Sequence, residues 1–152
     1  MGAAGLPISE RSIDQVEPLT QWLIRSGRDL PSATKTRALR YLHDYGERVT
    51  AAFAAWDVVL TPALALTARP NGWFDAKDAR RNFAEQGAFT PFTSFVNVSG
   101  APAIVIPTGL ARDGLPLGVQ LIGQLGHDDR LLRIAAEVEC LAEWSGRSRL
   151  YP

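Results

Sequence analysis

Cysteine is nearly missing from this chain: Cys140 is the single one among 152 residues. One thiol excludes an intramolecular disulfide and any cysteine-rich metal site, and it suits a reducing compartment. Histidine is scarce as well. His43 and His127 stand far apart, and neither belongs to an H-x-x-x-H or H-E-x-x-H pair, so no metal-ligand spacing is present. Neither sign of charge is in excess, since sixteen acids balance sixteen bases for a formal net charge of +0. That balance leaves no overall field to attract nucleic acid or anionic lipid. No apolar run approaches the ~20 residues that span a bilayer. Residues 1–6 show no basic stretch leading into an apolar core. The glycines form neither G-x-x-x-x-G-K-[ST] nor G-x-G-x-x-G, so a phosphate-cradling loop is not indicated. Together these absences argue against nucleic acid and membrane as partners and make a cytoplasmic location the expectation.

What remains is the composition of a folded domain. Apolar residues make up 46% and charged residues 21%, too apolar for disorder and ordinary for a globular chain. Ser12 and Gln15 fit a capping box for a helix over 13–26, although Pro18 sits awkwardly beyond the first turn. A longer helix over 33–55 carries Leu39, Leu42, Val49, Phe53 and Trp56 at three- and four-residue steps, with one turn skipped at Gly46. Residues 57–62 read as a short strand ended by Pro62. Residues 63–89 show little periodicity beyond a helical turn around 76–84, and long loops within compact domains tend to be functional. One or two helical turns are expected within 90–98.

Two runs rich in Val, Ile and Leu, 103–106 and 117–122, flank a turn at Asp113-Gly114 and read as paired strands. The second is apolar on both faces, with Leu117, Val119 and Leu121 on one and Gly118, Gln120 and Ile122 on the other. Such a strand belongs in the middle of a larger α/β structure. A last helix over 129–144, capped by Asp128, presents positions 131, 135, 138 and 142 on one face, with Gly146 as its stop. Three strands are few for so much two-sided apolar character, so something further should pack on them.

Chemistry is harder to find. Ser99 lies at a glycine turn but not in a G-x-S-x-G elbow, and His127-Asp128 reads more simply as a helix start than as a base with its orienting acid. Cys140 reads as a small core residue of the last helix. Lys35 and Lys77 lie in no apolar setting that would depress their pKa. The best binding surface is the aromatic stretch holding Trp73, Phe74, Phe83, Phe89, Phe92 and Phe95. It could wall an apolar pocket or equally cover a core.

Several blocks of this chain resemble the C-terminal third of amidase-signature amide hydrolases. Residues 56–62, WDVVLTP, are similar to that family's "yDvlltPt" strand, and 97–103, NVSGAPA, to its "N-x-x-G-x-P-a". The match runs on through Ile106-Pro107-Thr108-Gly109 and through 114–123, GLPLGVQLIG, close to "GlPvGvqliG". Residues 128–139, DDRLLRIAAEVE, look like the helix that follows.

The resemblance implies the C-terminal part of an α/β fold with a mixed, twisted sheet flanked by helices, incomplete on its own. Residues 1–152 then form one partial domain, with 1–11 flexible. It also implies amide hydrolysis through a serine nucleophile, a cis-peptide serine and a lysine base, without metal or organic cofactor. No glycine- and serine-rich signature occurs here, so none of those three roles falls on a residue of this chain, and the chain is expected to be inactive alone. By the same resemblance Phe89, Thr90, Phe92, Thr93 and Asn97 help to hold the substrate. Glutamine-using relatives carry an acidic residue seven positions before the motif asparagine, where this chain has Thr90. An apolar or aryl acyl group is therefore expected instead of glutamine. The expected partners are a small amide, bound only together with the rest of the enzyme, and a second copy of the chain as one candidate cover for exposed sheet. The alternative is a non-catalytic assembly module that pairs its sheet with another chain.

Overall fold

A computed structural model describes residues 8–142. The chain divides into two compact units, one comprising residues up to Tyr41 with Arg69–Phe89, the other Leu42–Ala68 with the residues from Thr90 onward. The expected helix end at Trp144 and its stop at Gly146 lie outside the described residues, as do residues 1–7 of the expected flexible start.

In the first unit the expected helix over 13–26 is displaced. Residues Glu10–Gln15 form a 3-10 turn, and the α-helix α1 spans Pro18–Arg28, with Pro18 in its first turn. That placement removes the difficulty posed by the proline. Its absent N–H belongs to a position with no intrahelical partner, and its fixed φ suits helix entry. Ser12 does not cap; its hydroxyl pairs with that of Ser9 at 3.0 Å. Ile24 of α1 is fully buried. A second helix, α2 (Ser32–Phe53), begins in this unit and ends in the other. Helix α3 (Ala79–Phe89) packs against α1, with the rings of Trp22 and Phe83 5.8 Å apart.

The irregular stretch before α3 is fastened by one carboxylate. Asp75 Oδ1 accepts the backbone N–H groups of Lys77 (2.9 Å) and Asp78 (3.1 Å), while Asn82 Nδ2 donates to the Asp75 carbonyl at 3.0 Å. The two N–H donors hold the Asp75 carboxyl below its ordinary 3.8, with Arg81 adding a smaller pull in the same direction. Glu85 closes the arrangement, accepting from the Asp75 N–H and, at 2.8 Å, from Arg81 Nε.

The second unit is built on a three-stranded antiparallel sheet ordered β1 (Val58–Pro62), β3 (Pro116–Gly123), β2 (Ala103–Leu110). The strand expected to be central is central. Thr61 lies opposite Gln120, Leu60 opposite Leu121, and Ile104 opposite Leu121 from the other side; a bulge follows Pro107. Side chains alternate between faces along each strand, so Val58, Ile104, Ile106, Val119 and Leu121 share one face. Helix α5 (Asp128–Ala142) covers that face with Leu131, Ile134, Ala135 and Val138. The opposite face carries Ile122 and Gln120, 1% and 3% exposed. Helix α5 starts at Asp128, one residue earlier than expected, and the His127 carbonyl accepts from the N–H groups of Arg130 and Leu131. Cys140, expected in the core, is exposed because it lies off the 131–135–138 stripe.

Two glycines permit close packing between elements. A Cβ on Gly46 of α2 would stand 2.8 Å from the Val98 carbonyl oxygen of α4 (Ser94–Ser99). The turn where the apolar stripe of α2 lapses thus lies close against α4, whereas Leu39 and Trp56 of that stripe are exposed. A Cβ on Gly123 would meet Leu131 Cγ at 3.0 Å, which sets how near α5 lies to the sheet.

Parts of the sheet remain bare. Leu60 on β1 and Val105 on β2, on opposite faces, are 64% and 54% exposed, and Leu110 and Leu117 are exposed toward the turn that joins β2 to β3. No helix among the described residues is long and apolar enough to cross a membrane.

Candidate functional site

The expected substrate-holding residues divide between the two units. Phe89 ends α3 in the first unit, where its ring packs on Phe74 (5.7 Å between centroids) and Trp73 (6.2 Å). Thr90, Phe92, Thr93 and Asn97 belong to the second. Trp73, Phe74, Phe83 and Phe89 belong to the first unit, Phe92 and Phe95 to the second. Phe83 pairs with Trp22, and Phe95 with Phe53 of α2, edge to face at 6.0 Å.

Within the second unit, residues 90–93 form a turn that leads into α4. Thr93 Oγ1 donates to the Thr90 carbonyl at 3.3 Å, and the Asn97 N–H donates to the Thr93 carbonyl at 3.2 Å. Val96 is buried, which anchors the helix, while Asn97 is exposed. The helix ends at Gly100, whose φ of 72° is the left-handed conformation that glycine adopts without strain.

The firmest hold on this turn comes from the sheet. Gln120 Nε2 donates to the Phe92 carbonyl at 2.7 Å and to Thr61 Oγ1 at 3.1 Å, so both of its amide hydrogens are used. A buried amide without partners would be costly. With these two it joins β1, β3 and the turn. Reading by residue pattern passed over Gln120, although a lone amide within an apolar central strand was a visible signal.

Ser99 and His127 are not assembled into a catalytic pair. The Ser99 hydroxyl donates to the Val96 carbonyl at 3.0 Å and accepts the Ala101 N–H at 3.3 Å, the behaviour of a serine that shapes a helix end. It borders an open hollow beside His43 and Glu47. His127 borders another, of about 290 Å³, walled by Val49, Phe53, Ala101 and Leu125. Among the described residues no hydrogen bond joins the two. Lys35 Nζ donates to the Arg28 carbonyl at 3.3 Å in the first unit. No group of three or more His, Cys, Asp or Glu side chains converges among the described residues in a way that could hold a metal ion.

Helices on an antiparallel sheet, a glycine-proline strand pair and a nearby turn fastened by a buried glutamine make up this part of the molecule. The chain belongs to the amidase family, whose profile matches residues 8–132. It is 28% identical over 151 residues to the 6-aminohexanoate-cyclic-dimer hydrolase of Paenarthrobacter ureafaciens, a match that covers 94% of this chain and 30% of that protein. With the hydrolase of the same description from Pseudomonas sp. strain NK87 it shares 46% identity over 56 residues, 37% of this chain and 11% of that one. A solved structure of 6-aminohexanoate cyclic dimer hydrolase superposes on 92% of this chain and 30% of its own, with a TM-score of 0.77 at 28% identity. The α/β architecture is thus that of one segment of an amidase-family hydrolase, and the chain spans about a third or less of the relatives it matches.

Proposed function

We propose that this chain is the C-terminal segment of an amidase-type hydrolase that cleaves carbon-nitrogen bonds of amides through an acyl-serine intermediate. The nucleophilic serine, the cis-peptide serine and the lysine base fall on none of its own residues. Phe89, Thr90, Phe92, Thr93 and Asn97 contribute to the wall that holds the substrate. Thr90 stands where glutamine-using relatives carry an acidic residue, and Phe89 and Phe92 lie close to it in sequence. The favoured substrate is an amide with an apolar or aryl acyl group. No cofactor is invoked, and a cytoplasmic location, consistent with a single unpaired cysteine, belongs to the same proposal.

The observation that carries this reading is the family match together with the engaged Ser99 hydroxyl. Treating the purified 152-residue chain with a fluorophosphonate probe and weighing it by mass spectrometry tests it. The expected result is unmodified mass. A stoichiometric adduct on Ser99 or any other serine would overturn the assignment of the nucleophile to residues elsewhere.

The exposed Leu60, Val105 and Leu117 favour one refinement. More polypeptide covers this sheet in the working protein, either the remainder of an amidase or, in the assembly-module reading, a second copy.

A further inference from the structure

We infer that Gln120 is a positioning residue for residues 90–97, fixing the Phe92 carbonyl and through it the backbone that carries Thr90, Thr93 and Asn97. This rests on the reading of that segment as part of the substrate wall.

Three observations carry it. Gln120 is 3% exposed on the central strand, a lone amide among the apolar Val119, Leu121 and Ile122. Its amide nevertheless faces two acceptors, and one of them is the Phe92 main-chain oxygen, 28 positions away in sequence, at the shorter distance of 2.7 Å. Within the turn itself the bond from Thr93 Oγ1 to the Thr90 carbonyl is longer, at 3.3 Å, so the reach from the sheet is the shorter of the two. Thr61, the other acceptor, is the cross-strand partner of Gln120, so it orients the amide instead of competing for it. The result is a rigid arm from the sheet to the turn. Loss of the arm leaves the sheet paired and frees the segment.

Nuclear magnetic resonance on the full 152-residue chain separates this role from simple packing. Gln120→Met keeps the volume and removes both donors; Gln120→Glu keeps the shape and, when ionised, also offers no donor. In Gln120→Met, and in Gln120→Glu above the pH at which its buried carboxyl ionises, the Phe92 carbonyl carbon is expected to lose its hydrogen-bonded shift. Amide exchange at Asn97, whose N–H donates to the Thr93 carbonyl, is expected to rise about tenfold, the loss of one net hydrogen bond. The amides of the β1–β3 ladder should keep their protection. Acidification should return the Phe92 shift in Gln120→Glu, where a protonated carboxyl regains one donor, and should not do so in Gln120→Met. The partners of Gln120 are a hydroxyl and a main-chain carbonyl, neither of which titrates in that range. An unchanged Phe92 shift, or equal loss of protection in segment and ladder, would overturn the inference. A fluorophosphonate adduct would remove the functional reading while leaving the Phe92 signature unaffected, so the two failures are distinguishable.

Discussion

Leu131→Ala is expected to lower stability by about 2–5 kcal/mol, the range for removing a buried leucine from a core that relaxes only in part. Leu131 is 3% exposed and joins α5 to Ile106 and Leu121 of the sheet. Its Cγ, Cδ1 and Cδ2 also crowd the site where Gly123 would carry a Cβ, at 3.0, 3.3 and 3.4 Å. Gly123→Ala alone should therefore cost about 1–3 kcal/mol by overpacking. In the double variant the added methyl enters space that the leucine vacated. The two changes should be less harmful together than their sum, by about 0.5–3 kcal/mol. Urea unfolding of the four proteins measures this, and Leu131→Val keeps the cycle measurable if the alanine variant does not fold. Strict additivity would show that α5 does not seat on Gly123 as described.

Gly46→Ala should destabilise, although alanine is the better helix former by about 1 kcal/mol. The new Cβ would meet the Val98 carbonyl at 2.8 Å, and a main-chain oxygen cannot swing aside as a side-chain end can. Either α2 or α4 must shift, at a cost of about 1–3 kcal/mol that outweighs the gain in propensity. Gly87 provides the control, since it lies in α3 with nothing within 4 Å of its would-be Cβ. Gly87→Ala should therefore stabilise by about 0.5–1 kcal/mol. Thermal or urea unfolding of both variants should give shifts of opposite sign. A stabilised Gly46→Ala would refute the close approach of α2 to α4.

These contrasts mark what could be read from the chain and what could not. The strand pair was legible because Val, Ile and Leu runs with a proline before each and Asp-Gly between them admit few other structures. The central place of β3 followed from apolar residues on both of its faces. The start of α1 was misplaced because a serine-glutamine spacing looked like a cap, while Pro18, the stronger signal, marked the first turn itself. Gly46 read as a lapse in the stripe of α2, since pattern reports which residues are apolar and not where backbones touch. The fate of the aromatics was beyond reach for the same reason. Spacing places Phe83 and Phe95 in one stretch, but only the fold sends one to Trp22 and the other to Phe53. That residues 89–97 hold substrate is an expectation from resemblance, and the fastening of Phe92 by Gln120 depends on a contact 28 positions apart that spacing does not report.

The central proposal is that this chain supports an amide site whose reacting groups come from elsewhere. Incubating the purified 152-residue protein with an anilide such as 4-nitroacetanilide, and following nitroaniline release, tests it most directly. The expected result is a rate equal to that of buffer alone. Turnover that disappears on Ser99→Ala would contradict it.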